Sequence, residues 1–414
     1  MAQMGKVGSD EVKRRRVFYI PGYDPIPPRR YRELYRKEGA KQSDISGYDL
    51  TLSPKSGTRF GWSVNTQIDK GQTHSEIDVL VWSDIVQSSM DAGILKTYWI
   101  LIRTAWIYIS TGALGALMKL RRGPVLAALY PVLILLVQLL LALGLSWGFY
   151  ALLGVWAKTA LLKAGAGVAA LLLGYGILRW FKRKDGKFFA YYLMHDYGYS
   201  ARWCGAEPPE LIARLKEFQD DIAEAMTQDW DEVLVVGHSS GAHLGVSVLA
   251  NLIRAGQVPE QGVEHTPKLS FLTLGQVVPM VSYLPEAKIL RRDLAYLCAR
   301  DELFWLDVTA PGDPCSFALC DPVKVTGVAP DDQKWPLVIS AAFTQALSPE
   351  LWSTLKRRFF RLHFQYLCAF DRPLSYDYFK ITAGPQTLQK RFHDHLPTPS
   401  RIDTPANKYT EMAL

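Results

Sequence analysis

Residues 231–253 read DEVLVVGHSSGAHLGVSVLANLI, and the order of residue types in this stretch decides the fold class. Val233, Leu234, Val235 and Val236 form a short uninterrupted apolar run, the pattern of a strand covered on both faces of a parallel sheet. Gly237-His238-Ser239-Ser240-Gly241 follows at once, and Leu244, Val248, Leu249 and Leu252 then recur at helical spacing. A chain that passes from strand to helix through Gly-x-Ser-x-Gly turns sharply, because glycine accepts strained backbone and lets the helix approach the strand closely. Such a turn lifts the serine oxygen clear of the sheet, which makes Ser239 the candidate nucleophile. Phosphate-binding loops share the outline of a Gly/Ser-rich strand-to-helix turn, so the pattern alone leaves that class open.

On these residues the chain resembles the α/β-hydrolase superfamily, most closely its lipases and esterases, which often carry Gly-His-Ser-x-Gly followed by a small residue. The resemblance implies an α/β fold: a mostly parallel α/β-hydrolase sheet flanked by helices. It also implies a triad in the chain order Ser, Asp or Glu, His, and an early strand that contributes an oxyanion-hole amide. The early strand is residues 16–24, RVFYIPGYD, whose apolar run ends in Pro21-Gly22-Tyr23. By the resemblance, the backbone N–H of Gly22 or Tyr23 pairs with that of Ser240 to stabilise a developing oxyanion. An ordinary Pro-Gly turn is the plainer alternative.

The acid is expected in a loop after a later strand. Residues 303–308 suit that strand, and the loop 309–314 places Asp313 just beyond its carboxyl end; there it would hold an imidazole in the working tautomer. Asp307 lies inside the strand and Asp321 follows another turn, while Asp313 also suits a simple turn beside Pro and Gly. Of eight histidines, only His363, His393 and His395 follow Asp313. His363 stands among aromatics at the end of an expected helix that begins after Ser348-Pro349, a setting for a desolvated general base. It departs from the family pattern in one respect: no strand is evident immediately before it. His393, close to the carboxyl end, is the second candidate. His238 and His243 flank the elbow too closely to act on Ser239. No His/Cys group has metal-ligand spacing, so neither a metal nor another cofactor is expected.

The second feature is an apolar block. Residues 125–157 contain no charged side chain, and residues 159–181 contain only Lys163 and Arg179. About 20 residues suffice to cross a bilayer core, so the two stretches read as a transmembrane hairpin with its tip near Ala157-Lys158-Thr159. Lys119, Arg121 and Arg122 precede it, and Arg179, Lys182, Arg183, Lys184 and Lys187 follow. Both flanks carry the basic excess that stays cytoplasmic, which puts the catalytic segments on that side. Residues 95–118 combine aromatics, aliphatics and Arg103 and suit an interfacial helix or a tilted third segment. The interface is favoured, because a third full span would set the basic flanks on opposite sides.

The expected organisation is therefore a disordered basic tail (1–15), a first hydrolase part (16–94), a membrane insertion (95–184), a second hydrolase part with the elbow (185–398) and a C-terminal tail (399–414). Mean hydropathy is near zero and conceals the apolar insert. More than 300 residues remain outside the block, enough for a substantial core. The net charge of +7 is clustered beside the spans and in Lys13-Arg14-Arg15-Arg16, which favours anionic lipid over nucleic acid as a partner. Five cysteines without paired spacing fit a reducing compartment. A helix is expected at 28–39 and another at 208–228, with strands at 48–52, 60–68, 77–82 and 269–274; the sequence is silent on oligomeric state. Together these features lead to the expectation of a membrane-anchored serine hydrolase that cleaves a lipid acyl ester through an acyl-enzyme. An acyltransferase with the same intermediate and an inactive hydrolase-fold scaffold are the alternatives.

Overall fold

The computed structural model describes residues 11–55, 57, 59–90, 92–259 and 266–414. Eight strands, β1 (Arg14–Ile20), β2 (Asp49–Pro54), β3 (Gly61–Ile68), β4 (Gly71–Val79), β5 (Glu232–His238), β6 (Lys268–Leu274), β7 (Leu303–Thr309) and β8 (Leu337–Ser340), form one sheet in the order β2-β3-β4-β1-β5-β6-β7-β8. The six strands from β4 to β8 along that order are parallel, and β3 and β2 add antiparallel at one edge. The architecture is thus α/β with a mostly parallel mixed sheet.

Both faces of the central strands are covered. Val17, Tyr19, Leu234 and Val236 point into one core, shared with Tyr35 and Phe379 from helices Arg29–Ser46 and Tyr378–Ala383. Phe18, Ile20, Val233 and Val235 point into the other, with the helices Pro209–Met226, Gly241–Arg254 and Lys288–Leu297. The period-2 alternation of a strand therefore yields apolar residues on both sides, which is why β5 reads as an unbroken apolar run.

The expected basic tail differs from what is found. Residues 1–10 lie outside the described residues, but Arg14 and Arg15 already belong to β1. Arg15 is fully buried and pairs with Glu232 at 2.6 Å, while Arg16 is bound by Glu76 and Asp78. These arginines hold β1 in the sheet instead of facing a lipid surface, since a buried guanidinium needs a carboxylate partner. β8, absent from the sequence expectations, is four residues long and is the last strand before His363, which ends helix Phe359–His363 after two intervening short helices.

Between β4 and β5 the chain is helical. The helices Arg122–Gly154 and Ala160–Arg183 are long and apolar enough to cross a membrane. Only 28% and 11% of their most apolar windows are buried, so leucines such as Leu140, Leu143, Leu171 and Leu172 face outward. Pro131 lies within the first of these helices. Close packing of the pair centres on Gly174, where a side chain would meet Ser146. Helices Ile94–Ser110 and Ala113–Leu120 bend by 73°, with Gly112 in the left-handed region at the break. The pair packs on helix Ala190–Arg202 through the Thr97 to His195 hydrogen bond, and leaves Trp99 and Trp106 exposed.

Candidate active site

The register of the sheet builds the site. Ile20, the last residue of β1, sits beside Gly237 of β5, so Pro21-Gly22-Tyr23 leaves β1 directly alongside the elbow. A Cβ at Gly22 would come within 2.9 Å of Ser239 Cβ and 3.3 Å of its Oγ. A Cβ at Gly237 would reach the Gly241 carbonyl at 2.6 Å, and one at Gly241 would collide with the Ile20 carbonyl. Glycine is required at all three places for close approach. Ser239 itself has φ +56°, a strained conformation for a residue with a side chain, and one that the surrounding packing must hold.

Gly22, Tyr23, Ser239, Ser240 and His363 line a single cavity of about 80 Å³ at the carboxyl ends of the parallel strands. That is where open α/β sheets bind ligands. Three hydrogen bonds hold the loop after β1. Trp82 Nε1 donates to the Pro21 carbonyl at 2.9 Å, Tyr192 donates to the Tyr23 carbonyl at 2.5 Å, and the Tyr23 hydroxyl bonds Ser89. Among the described residues, the backbone N–H groups of Gly22, Tyr23 and Ser240 have no protein acceptor. Ser240 is also the N-cap of the elbow helix, so its amide stands at the positive end of a helix dipole.

Asp313 lies behind the cavity, 2% exposed, in the loop after β7. His363 Nδ1 donates to Asp313 Oδ2 at 2.7 Å, the Tyr366 hydroxyl donates to the same oxygen at 3.1 Å, and the Cys315 N–H donates to Oδ1 at 2.9 Å. Burial alone would raise the Asp313 pKa, but the His363 imidazole, the Cys315 N–H and the Ser316 hydroxyl hold it below the ordinary carboxylate range. Asp313 is therefore the ionised partner of His363. Ser239 Oγ and the imidazole share the cavity wall without a direct hydrogen bond among the described residues, a separation common before substrate closes a site.

The other sequence candidates lie elsewhere. His393 is exposed and bonded to its neighbour Asp394 at 2.8 Å. Asp307 is buried within β7, accepts from Thr273 at 2.6 Å and is pushed by burial up to about 8. Asp321 caps helix Pro322–Thr326. His238 is buried, lowered by desolvation to about 3, and its Nε2 donates to the His363 carbonyl at 3.0 Å, so it positions the segment that carries His363.

Two features were not legible in the sequence. Asp196, on helix Ala190–Arg202, lines the same cavity, where burial raises it to about 7 against the pull of the nearby His363. Its signal in sequence was only an acidic residue in an aromatic helix. Cys315 brings a thiol beside Asp313 and His363, and the three ligand atoms lie within 4.8 Å of one another. Burial, and then the charge of Asp313, hold the Cys315 thiol well above its ordinary range. Nδ1 of His363 and both oxygens of Asp313 are already engaged in hydrogen bonds. This group suits an oriented imidazole better than a metal.

The arrangement presents a strained serine, a carboxylate-held imidazole and unpaired amides around one small space, the set that acyl transfer requires. Searches against protein-family models, curated proteins and solved structures find no match to this chain.

Proposed function

We propose that this protein is a membrane-anchored serine hydrolase of the α/β-hydrolase type that cleaves an acyl ester of a lipid. The observation that carries the reading is the convergence of Ser239, the Asp313-bound His363 and three unpaired backbone amides on one cavity. His363 Nε2 takes the proton of Ser239 as Oγ attacks the ester carbonyl, and Asp313 stabilises the imidazolium that forms. The amides of Ser240 and of Gly22 or Tyr23 hold the oxyanion. His363 then protonates the departing alkoxide, and water, activated by the same imidazole, releases the acid from Ser239.

The lipid substrate is supported by the walls of the same cavity. Tyr108 comes from the bent helix pair and Pro124 from the first turn of the first span, so the membrane insertion reaches the reacting centre. The basic residues that flank both ends of the hairpin place the catalytic domain on the cytoplasmic side in this reading. Fluorophosphonate labelling of detergent-solubilised protein, with mass mapping of the adduct, tests it. Labelling at Ser239 that Ser239→Ala abolishes and His363→Ala suppresses is expected; a folded wild type that fails to label overturns the reading.

A further inference from the structure

A second cavity adjoins the catalytic one. It has a volume of about 170 Å³ and is walled by residues of the bent pair (Thr104, Ala105, Leu114), the first span (Val125, Ala128, Val132) and helix Ala190–Arg202 (Met194). Tyr108, Tyr197 and Met280 line both cavities and form the wall between them. Ile109 and Leu129, at its other wall, are 62% and 40% exposed on the face where the apolar helices look outward. The second cavity thus lies between the wall of the catalytic one and the outward-facing apolar surface of the insertion.

Its chemistry excludes water and polar ligands. The lining is aliphatic and aromatic apart from the hydroxyls of Thr104, Tyr108 and Tyr197, and the Tyr108 hydroxyl is already spent on the Met280 carbonyl at 2.8 Å. An apolar cavity of roughly 150 Å³ stays dry and accepts benzene, so this one holds an apolar segment on the order of six carbons. The remainder of a longer chain would leave between Ile109 and Leu129 into the bilayer, where it costs nothing to solvate.

We propose that this cavity is the acyl-chain site: the fatty acyl chain of the substrate threads between the bent pair and the first span while its carbonyl sits at Ser239. The assignment rests on the serine-hydrolase reading and adds a chain-length selection that the hydrolase core does not supply. Two small residues set the bore. Ala105, from the bent pair, and Ala128, from the first span, both line the cavity, and a phenylalanine at either would fill it. One methylene in an apolar site is worth about 10- to 200-fold in kcat/KM between substrates, so the effect of a blocked chain site is large.

The test is a chain-length series of p-nitrophenyl esters, acetate to palmitate, on wild type, Ala105→Phe, Ala128→Phe and the outward-facing control Leu133→Phe. In the two blocked variants, kcat/KM for octanoate and longer is expected to fall at least tenfold, while acetate hydrolysis and the fluorophosphonate labelling rate stay within twofold; the control keeps the wild-type profile. A profile unchanged in both blocked variants, or an equal loss at every chain length, overturns the proposal while leaving the serine-hydrolase reading intact. A wild type that fails to label at Ser239 defeats that reading instead. A second measurement needs no variant: a long-chain fluorophosphonate with a terminal diazirine is bound to Ser239 of wild type and photolysed. Cross-links are expected on Leu114, Val125, Ala128, Leu129 or Val132, and cross-links confined to other segments overturn the proposal.

Discussion

Asp313→Asn tests the site most directly, because it changes hydrogen-bond roles with almost no change in volume. Oδ1 accepts from the Cys315 N–H at 2.9 Å, and Oδ2 accepts from His363 Nδ1 at 2.7 Å and from Tyr366 at 3.1 Å. An amide offers one oxygen and one NH₂ in their place. With the NH₂ turned toward Cys315, two buried donors face each other at a cost of about 1–3 kcal/mol. With the oxygen on Cys315, the NH₂ faces Nδ1. The Tyr366 hydroxyl can adapt, since it already accepts from the Ala310 N–H at 3.0 Å. The imidazole adapts only by moving its proton to Nε2. A protonated Nε2 cannot take the proton of Ser239, so the base is lost while the fold persists. The loss expected for this exchange of tautomer is ~10⁴-fold in kcat, or ~5.5 kcal/mol in the barrier. The assay is steady-state hydrolysis of a p-nitrophenyl ester together with the rate of fluorophosphonate labelling, with the melting temperature as the control for folding. A folded Asp313→Asn protein within tenfold of wild type would refute the assignment of His363, oriented by Asp313, as the base.

Asp307→Asn should stabilise the protein at alkaline pH. Its carboxyl is raised to about 8 in the fold, so the native state keeps a proton that the unfolded chain loses near pH 4. Native stability therefore falls as pH rises from about 4 to about 8, and the non-titrating asparagine escapes that loss. The ceiling is ~6 kcal/mol, and a gain of a few kcal/mol above pH 8, shrinking to nothing near pH 4, is expected in denaturation midpoints; an equal effect at both pH values would contradict it. Gly22→Ala should cut Ser239 labelling by ~10²-fold, because its Cβ would press on the serine side chain at 2.9 Å and displace the hydroxyl. Wild-type labelling kinetics in that variant would show that the loop after β1 is not at the reacting centre. Lys158→Cys, at the turn between the spans, should react in sealed cells with an impermeant maleimide from the outer side, whereas protection there until lysis would reverse the sidedness. Ester hydrolysis should be unaffected by EDTA or phenanthroline, and a loss restored by zinc would favour the Asp313-Cys315-His363 group as a metal centre.

The amino-acid sequence by itself determined what depends on local chemistry. The elbow is legible because strand, strained serine and helix are contiguous, with glycines at 237 and 241 where contact with Ile20 and between the two turns forbids a Cβ. The two long helices are legible because residues 125–157 carry no charge and each stretch is long enough to cross a bilayer core. Asp313 and His363 could be named from chain order and loop position, but their union could not: it joins residues 50 apart, one in the loop after β7 and the other at the end of helix Phe359–His363. β8 escaped notice because four residues after Pro336 carry too little periodicity to register. Arg15 looked like part of a basic tail because its partner, Glu232, is 217 residues away. Tertiary structure alone decided the strand order, brought Asp196 to the cavity on helix Ala190–Arg202, and set Tyr108 and Pro124 in the wall of the cavity that Ser239 lines. The physical reason is common to all of these: pairing, burial and cavity walls are made by contacts between segments distant in the chain, which leave no periodic trace in either segment alone.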